Sequence, residues 1–343
     1  MEQRSVLIIY TGGTIGMVLN SDTGSLQPLN FDQISEHVPD LMKFGFRLDT
    51  ISFEDPLDSS DIGPDIWIKI ASIVMDNYDN YDGFVILHGT DTMAYTASAL
   101  SFILRNLSKP VIFTGSQLPI GVLRTDGKEN IITSIEMAAA KEDGKAIVPE
   151  VCVYFENKLF RGNRTTKINA ENFSAFQSAN YPPLAEVGIN IKYNREAILI
   201  PNKKAPLQTF LNFDNHIAIL KLFPGMNKAF IDSILGISGL KGLILETFGP
   251  GNAPADEWFV KRIRKAIDNG IIVLDITQCS TGSVILGRYE TSRKLYEAGV
   301  ISGYDITTEA ATTKMMCLFG KYQNPEEIKS YLNISMAGEI TTN

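Results

Sequence analysis

The sequence predicts an α/β protein of two domains: a larger N-terminal parallel or mixed sheet flanked by helices, and a smaller C-terminal α/β domain. Three observations predict it. Short, continuously apolar β-branched runs alternate with segments of helical period in both halves, the pattern of strands covered on both faces. A charged, proline-containing stretch of weak periodicity over 193–206 separates the halves. The length, 343 residues, exceeds one typical domain and suits two. The expected boundaries are 1–192, a linker over 193–211, and 212–343.

The elements follow in order. Apolar, β-branched runs place strands over 6–10, 48–53, 84–87, 111–113 and 151–155. Between them, Ile66, Ile70, Ile73 and Val74 recur at helical spacing behind Pro64, which predicts a helix over 64–78. Segments 92–106 and 128–141 have the same character. Beyond the linker, strands are expected over 216–222, 242–247 and 271–276, with a helix over 256–269 that stops at Gly270. No internal repeat and no low-complexity tract interrupts the pattern.

Composition narrows the function classes. Apolar residues at 44% and charged residues at 20% describe a packed globular chain. A formal charge of −8 argues against a nucleic-acid footprint, which needs a basic face. The apolar run at the start is too short for a signal-peptide core, and nothing approaches the roughly 18 continuous apolar residues of a membrane span. The three cysteines, Cys152, Cys279 and Cys317, are scattered, with no C-x-x-C pair, so neither a metal centre nor a disulfide framework is expected. A reducing, cytoplasmic setting fits best.

Three loops that end predicted strands carry the chemistry. They read Thr11-Gly12-Gly13-Thr14-Ile15-Gly16, His88-Gly89-Thr90-Asp91-Thr92 and Thr114-Gly115-Ser116-Gln117. In open parallel sheets ligands bind beyond the carboxyl ends of strands, so the three should converge on one crevice. The first loop alone fits a tight structural turn as well as an anion cradle, and it matches neither G-x-x-x-x-G-K-[ST] nor G-x-G-x-x-G. In the second, Asp91 follows a buried strand and needs a partner such as a lysine, unless it caps the helix opening at Thr92. His88 is expected to be a satisfied core residue. With His37 and His216 elsewhere and no G-x-S-x-G elbow, Ser-His-Asp catalysis has no support. The donor-rich segment 161–167 follows the fifth strand. It reads as a solvated turn or as the source of a lysine, Lys167, that reaches Asp91.

Taken together, these residues resemble the bacterial-type L-asparaginases, in particular the cytoplasmic type I branch. The stretches that match are Tyr10-Thr11-Gly12-Gly13-Thr14-Ile15-Gly16-Met17, residues 82–93 with His88-Gly89-Thr90-Asp91-Thr92 at their centre, and 161–167. Asp58-Ser59-Ser60-Asp61, Gly249-Pro250-Gly251-Asn252-Ala253-Pro254 and Thr277-Gln278-Cys279 complete the set. They span nearly the whole chain in family order, and the paired threonine signatures are specific. The resemblance implies a flavodoxin-like larger domain and hydrolysis of L-asparagine to L-aspartate and ammonia, without metal or organic cofactor. It implies Thr14 as nucleophile and Thr90, Asp91 and Lys167 as a proton-relaying triad. Ser59, Ser60, Asp91, Gly89 and Ser116 would bind substrate. Asn252 would come from a neighbouring subunit, which makes the active form a homodimer or homotetramer.

Two departures accompany the resemblance. Family members often carry a tyrosine on the lid behind the first glycine loop, where Ser25 stands here; Tyr289 is a candidate replacement for the base that activates Thr14. In some type I enzymes an arginine ahead of the Gly-Asn-Ala-Pro turn helps bind a second asparagine. Glu246 stands there, although Thr166 and Cys279 match, and an anion should repel the effector carboxylate. Two rivals share the scaffold, a glutaminase-asparaginase and the amidase subunit of an archaeal-type tRNA amidotransferase. The latter usually carries an extra N-terminal domain, and here the first strand starts at residue 5. A non-catalytic nucleotide- or phosphate-binding module is the rival of another class.

Overall fold

A computed structural model describes residues 3–19, 26–28, 38–202, 205–254 and 256–341. His37 and Ser25, with the lid segment from residue 20 to 25, lie outside the described residues. The chain divides into two compact units, 1–209 and 210–343.

In the first unit, strands β1 (Ser5–Gly12), β2 (Arg47–Leu57), β3 (Gly83–Leu87), β4 (Val111–Thr114) and β5 (Val151–Phe155) run parallel in the order β2-β1-β3-β4-β5. The helices between them are α1 (Pro64–Asp76), α2 (Met93–Ile103) and α3 (Gly127–Ala138). β1, β3, β4 and β5 are buried along their whole length, which explains their unbroken apolar sequence. This order reverses direction between β1 and β3, so the sheet has its topological switch point there. The loops that leave β1 and β3 are the two threonine loops.

The sheet continues where the sequence showed no strand. β6 (Lys158–Arg161), β7 (Ala185–Val187) and β8 (Ile191–Tyr193) extend it antiparallel beyond β5. The hairpin from β5 to β6 turns on Glu156 and Asn157, both at positive φ. Asparagine tolerates that conformation and glutamate carries no signal for it. The stretch expected as a linker is bound to this unit. Asn194 N–H donates to Leu184 O (2.8 Å), Arg161 Nη2 to Ala197 O (2.8 Å), and Asn202 N–H to Asn106 Oδ1 (2.7 Å). Gln208–Thr209 pairs with Leu104–Arg105, which explains why α2 ends at Ile103 and not at 106 as expected.

The second unit is a four-stranded parallel sheet, β9 (Ile217–Lys221), β10 (Gly242–Thr247), β11 (Ile272–Thr277) and β12 (Ile301–Ser302), in that order. Its helices are α4 (Lys228–Leu235), α5 (Glu257–Asp268), α6 (Glu290–Ala298), α7 (Thr308–Lys321) and α8 (Pro325–Leu332). α5 presents Phe259, Ile263 and Ala266 to a core with Leu243, Leu245 and Val273, and Gly270 follows its end at φ +94°. Among the described residues no helix is long and apolar enough to cross a membrane.

Candidate active site

The loop after β1 cannot form without glycine. Gly13 has φ +87°, its N–H donates to Leu57 O (3.1 Å), and a Cβ built on it would land on Gly89 Cα. Gly89 is as confined on its other side, where a Cβ would lie 2.7 Å from Ser59 Cβ and Oγ. The first and second loops are therefore packed backbone to backbone, with the Ser59 side chain against the far side of Gly89. Thr14 and Thr90, 76 positions apart in the chain, each follow one of the two contacting glycines. Thr14 opens a 3-10 turn, Thr14–Gly16, behind which Tyr10 Oη donates to Gly16 O (3.3 Å). Burial pushes the Tyr10 phenol up to about 12, so it remains a neutral brace.

Asp91 does not cap α2. Thr92 occupies the N-cap position without a side-chain cap bond, and its hydroxyl donates to Ser59 O (2.6 Å). Asp91 instead pairs with Lys167, Nζ to Oδ1 at 2.5 Å. Asp91 follows a buried strand, yet its own side chain is 66% exposed while that of Lys167 is 16% exposed. The carboxylate thus has an open side on which a ligand cation could approach. Lys167 Nζ also donates to Thr90 Oγ1 (2.8 Å), so one ammonium holds threonine and aspartate together. Lys167 is delivered by a ladder of Thr166–Lys167 with Phe176–Gln177, behind the buried pair of Arg161 Nε with Glu150 Oε2 (2.6 Å).

Ser59 is buried and Ser60 exposed at the head of the 3-10 turn Ser59–Asp61, whose N-cap Asp58 accepts from Ser60 N–H (2.8 Å). That bond holds the Asp58 carboxyl below its ordinary range. Ser116 is buried and its hydroxyl donates to Leu118 O (2.6 Å). His88 has no exposed surface. Its Nδ1 meets Gly89 O (2.7 Å), which can only accept, so Nδ1 carries the hydrogen and Nε2 accepts from Thr96 Oγ1 (2.9 Å). Burial lowers its pKa to about 4, which keeps the ring neutral as a support of the second loop.

Gln117 had no role in the sequence reading. Its Oε1 accepts from Thr90 Oγ1 (3.3 Å) and its Nε2 donates to Asn172 O (3.0 Å), which joins the third loop to the other two. The signal was an amide next to Ser116, and the partner it selects lies 27 positions away. Among the described residues no group of three or more His, Cys, Asp or Glu side chains could hold a metal ion.

The remaining candidates lie in the second unit. Asn252 closes the turn after β10 through an antiparallel bridge with Phe248. Tyr289, 47% exposed, stands at the N-cap of α6, while Ser292 Oγ meets its backbone N–H (3.1 Å). Glu246, at the end of β10, is buried. Its carboxylate accepts from Thr308 Oγ1 (2.8 Å) and faces Lys221 Nζ at 3.5 Å. Cys279 is exposed; Thr166, in the first unit, is half-buried.

The site can be set beside known proteins. A family model for the asparaginase N-terminal domain matches residues 5–199, and one for the glutaminase/asparaginase C-terminal domain matches 216–332. L-asparaginase 1 of Escherichia coli strain K12 is 41% identical over 347 residues, covering 99% of each chain. The crystal structure of L-asparaginase I from Vibrio cholerae matches at TM-score 0.89 and 39% identity, covering 99% of this chain and 100% of that one. The thermostable L-asparaginase from Thermococcus kodakarensis also matches at TM-score 0.89, with 33% identity and the same coverage. The two family models take up both units in order, and the chain belongs to the asparaginase family of amidohydrolases.

Proposed function

We propose that this chain hydrolyses the side-chain amide of L-asparagine, giving L-aspartate and ammonia through an ester on Thr14. The observations that support the reading are the contact of Gly13 with Gly89, the residues that precede Thr14 and Thr90, and the Lys167 ammonium that bonds both Thr90 and Asp91. Thr14 Oγ1 attacks the amide carbon, and its proton passes by way of a base to the leaving nitrogen, which departs as ammonia. Water then attacks the ester carbonyl. Its proton returns to Thr14 Oγ1 through Thr90 and Lys167, releasing aspartate. An unassisted hydroxyl is a poor nucleophile, so the base is essential. Tyr289 is the candidate for it. Backbone N–H groups of the glycine loops stabilise the oxyanion.

The open carboxylate of Asp91 suits the substrate's α-ammonium, and Ser59, Ser60, Gly89 and Ser116 line its head group. Asn252 acts in the site of a neighbouring copy, so the working form is a dimer or tetramer in the cytoplasm. Ammonia release from L-asparagine by the wild type, Thr14→Ala and Thr90→Val tests the reading. Both variants should fold and neither should turn over; equal rates for wild type and Thr14→Ala would remove it. Glutamine, run in parallel, measures a selectivity worth only about 1–3 kcal/mol per methylene.

A further inference from the structure

We infer that Gln117 fixes the direction of the Thr90 hydroxyl and thereby makes Thr90 a hydrogen-bond acceptor toward the cleft. The inference rests on the reading of Thr90 as a relay residue given above. The two ends of the Gln117 amide are told apart by Asn172, whose backbone carbonyl can only accept. The atom 3.0 Å from it is therefore Nε2, and the atom 3.3 Å from Thr90 Oγ1 is Oε1. An amide oxygen has no hydrogen to give, so the hydrogen in the Thr90–Gln117 bond belongs to Thr90. From the other side the Lys167 ammonium, which can only donate, places a hydrogen on Thr90 Oγ1 at 2.8 Å.

A hydroxyl has one hydrogen and two lone pairs. With the hydrogen turned to Gln117 and one lone pair taken by Lys167, the second lone pair meets whatever hydroxyl or water occupies the cleft. Without the Gln117 acceptor the rotor is free to swing its hydrogen inward, against the hydrogen of the incoming group. An amide is not a base at neutral pH, so Gln117 takes no proton and acts through Thr90 as a positioning residue.

The support behind Gln117 is rigid on both sides. Asp126, just ahead of α3, accepts from Gln117 N–H through Oδ1 (3.1 Å) and Oδ2 (3.0 Å), and from Leu118 N–H (3.2 Å). Asn130 Nδ2 holds Asp126 Oδ2 (3.3 Å) and Gly115 O (2.9 Å). On the Asn172 side, Asn169 Oδ1 accepts from Glu171 N–H (2.8 Å) and Asn172 N–H (2.9 Å). Asn172 follows Lys167 by five positions. The Gln117 amide thus also ties the segment that carries Lys167 to the loop that faces Thr90.

The test is the pair Gln117→Leu and Gln117→Glu, assayed for ammonia release from L-asparagine across pH, with thermal melting as the fold control. Leucine removes both bonds at similar volume. Its kcat should fall about 10- to 100-fold while KM stays within about twofold, since the hydroxyl's direction matters in the transition state and not in binding. Glutamate keeps an acceptor against Thr90, so Gln117→Glu should retain more kcat than Gln117→Leu. It should also gain an acid limb in its pH profile, where the new carboxyl takes up a proton and can donate back to Thr90. Wild-type kcat in Gln117→Leu, or a loss confined to KM, overturns the inference. Should the leucine variant melt below the assay temperature, the glutamate variant decides alone, and a pH profile identical to the wild type's overturns it. No ammonia from the wild type would refute the underlying functional reading instead, so the two failures are distinguishable.

Discussion

Replacing Asp275 by asparagine should stabilise the second unit at neutral and alkaline pH. Asp275 lies on β11 with no exposed surface. Its Oδ1 accepts from Thr247 Oγ1 (2.8 Å), whereas its Oδ2 has no hydrogen-bond partner among the described residues. The space beside Oδ2 is bounded by the Gly251 turn, where a Cβ would lie 3.2 Å from Oδ2 and 3.0 Å from Val284 Cγ1. Burial in this setting pushes the carboxyl up to about 7, against the smaller lowering effect of the Thr247 hydroxyl.

Well below pH 4 both folded and unfolded chains hold the proton, and Asp275 costs nothing. As pH rises toward 7 the unfolded chain loses the proton and the folded one keeps it, so stability falls across that window. Above it the loss is constant. With about three pH units between the two pKa values at about 1.36 kcal/mol each, the loss is about 4 kcal/mol. Asp275→Asn keeps the Thr247 bond and the volume but cannot ionise. Its melting point should exceed the wild type's by roughly 10 °C at pH 8 and should nearly coincide with it at pH 4. Differential scanning calorimetry of both proteins between pH 4 and pH 8 makes the comparison. A difference that does not grow with pH would refute the reasoning.

Gly89→Ala should place a methyl on Ser59, with at least a 100-fold loss of turnover for a stability cost of about 1–3 kcal/mol, read from kcat and denaturant melts. Lys314→Met should destabilise the second unit by about 3–5 kcal/mol in urea unfolding, because it strands Glu339, which is wholly buried 2.7 Å from Lys314 Nζ. Burial raises the Glu339 pKa, but Lys314 and the Met336 and Ala337 N–H groups more than offset this. The double variant with Glu339→Gln should therefore recover much of the loss. Asparagine saturation should be hyperbolic, since Glu246 puts a carboxylate, held by Thr308 and near Lys221, where an effector's own carboxylate would need a cation. A sigmoidal curve would contradict this.

The parallel strands were legible because burial on both faces demands unbroken apolar runs such as Val6-Leu7-Ile8-Ile9 and Phe84-Val85-Ile86-Leu87. From those runs, the rule that ligands gather at strand carboxyl ends located the threonine loops. β6 to β8 were not legible. Their burial is mixed and their first turn rests on Glu156 at positive φ, a conformation that no residue preference announces. α7 escaped for a related reason: it is buried on most sides, so its apolar and polar residues show little helical contrast.

In the site, residue type suggested that Asp91 needed a partner, and Lys167 provides it at a separation of 76 positions. What the sequence could not convey was orientation. Asp91 turns out to be open to solvent, the Ser116 hydroxyl turns inward to Leu118, and Gln117 selects Thr90, because these directions follow from the contact of loops far apart in the chain.

The central claim is that Thr14 carries the acyl group in a cleft it shares with Thr90, and peptide mapping after acid quench tests it most directly. Thr90→Val, mixed with L-asparagine and quenched, should show one aspartyl residue added as an ester on the peptide that contains Thr14, and none when Thr14→Ala is introduced as well. An adduct on another residue, or ammonia released by Thr14→Ala at the wild-type rate, would contradict it.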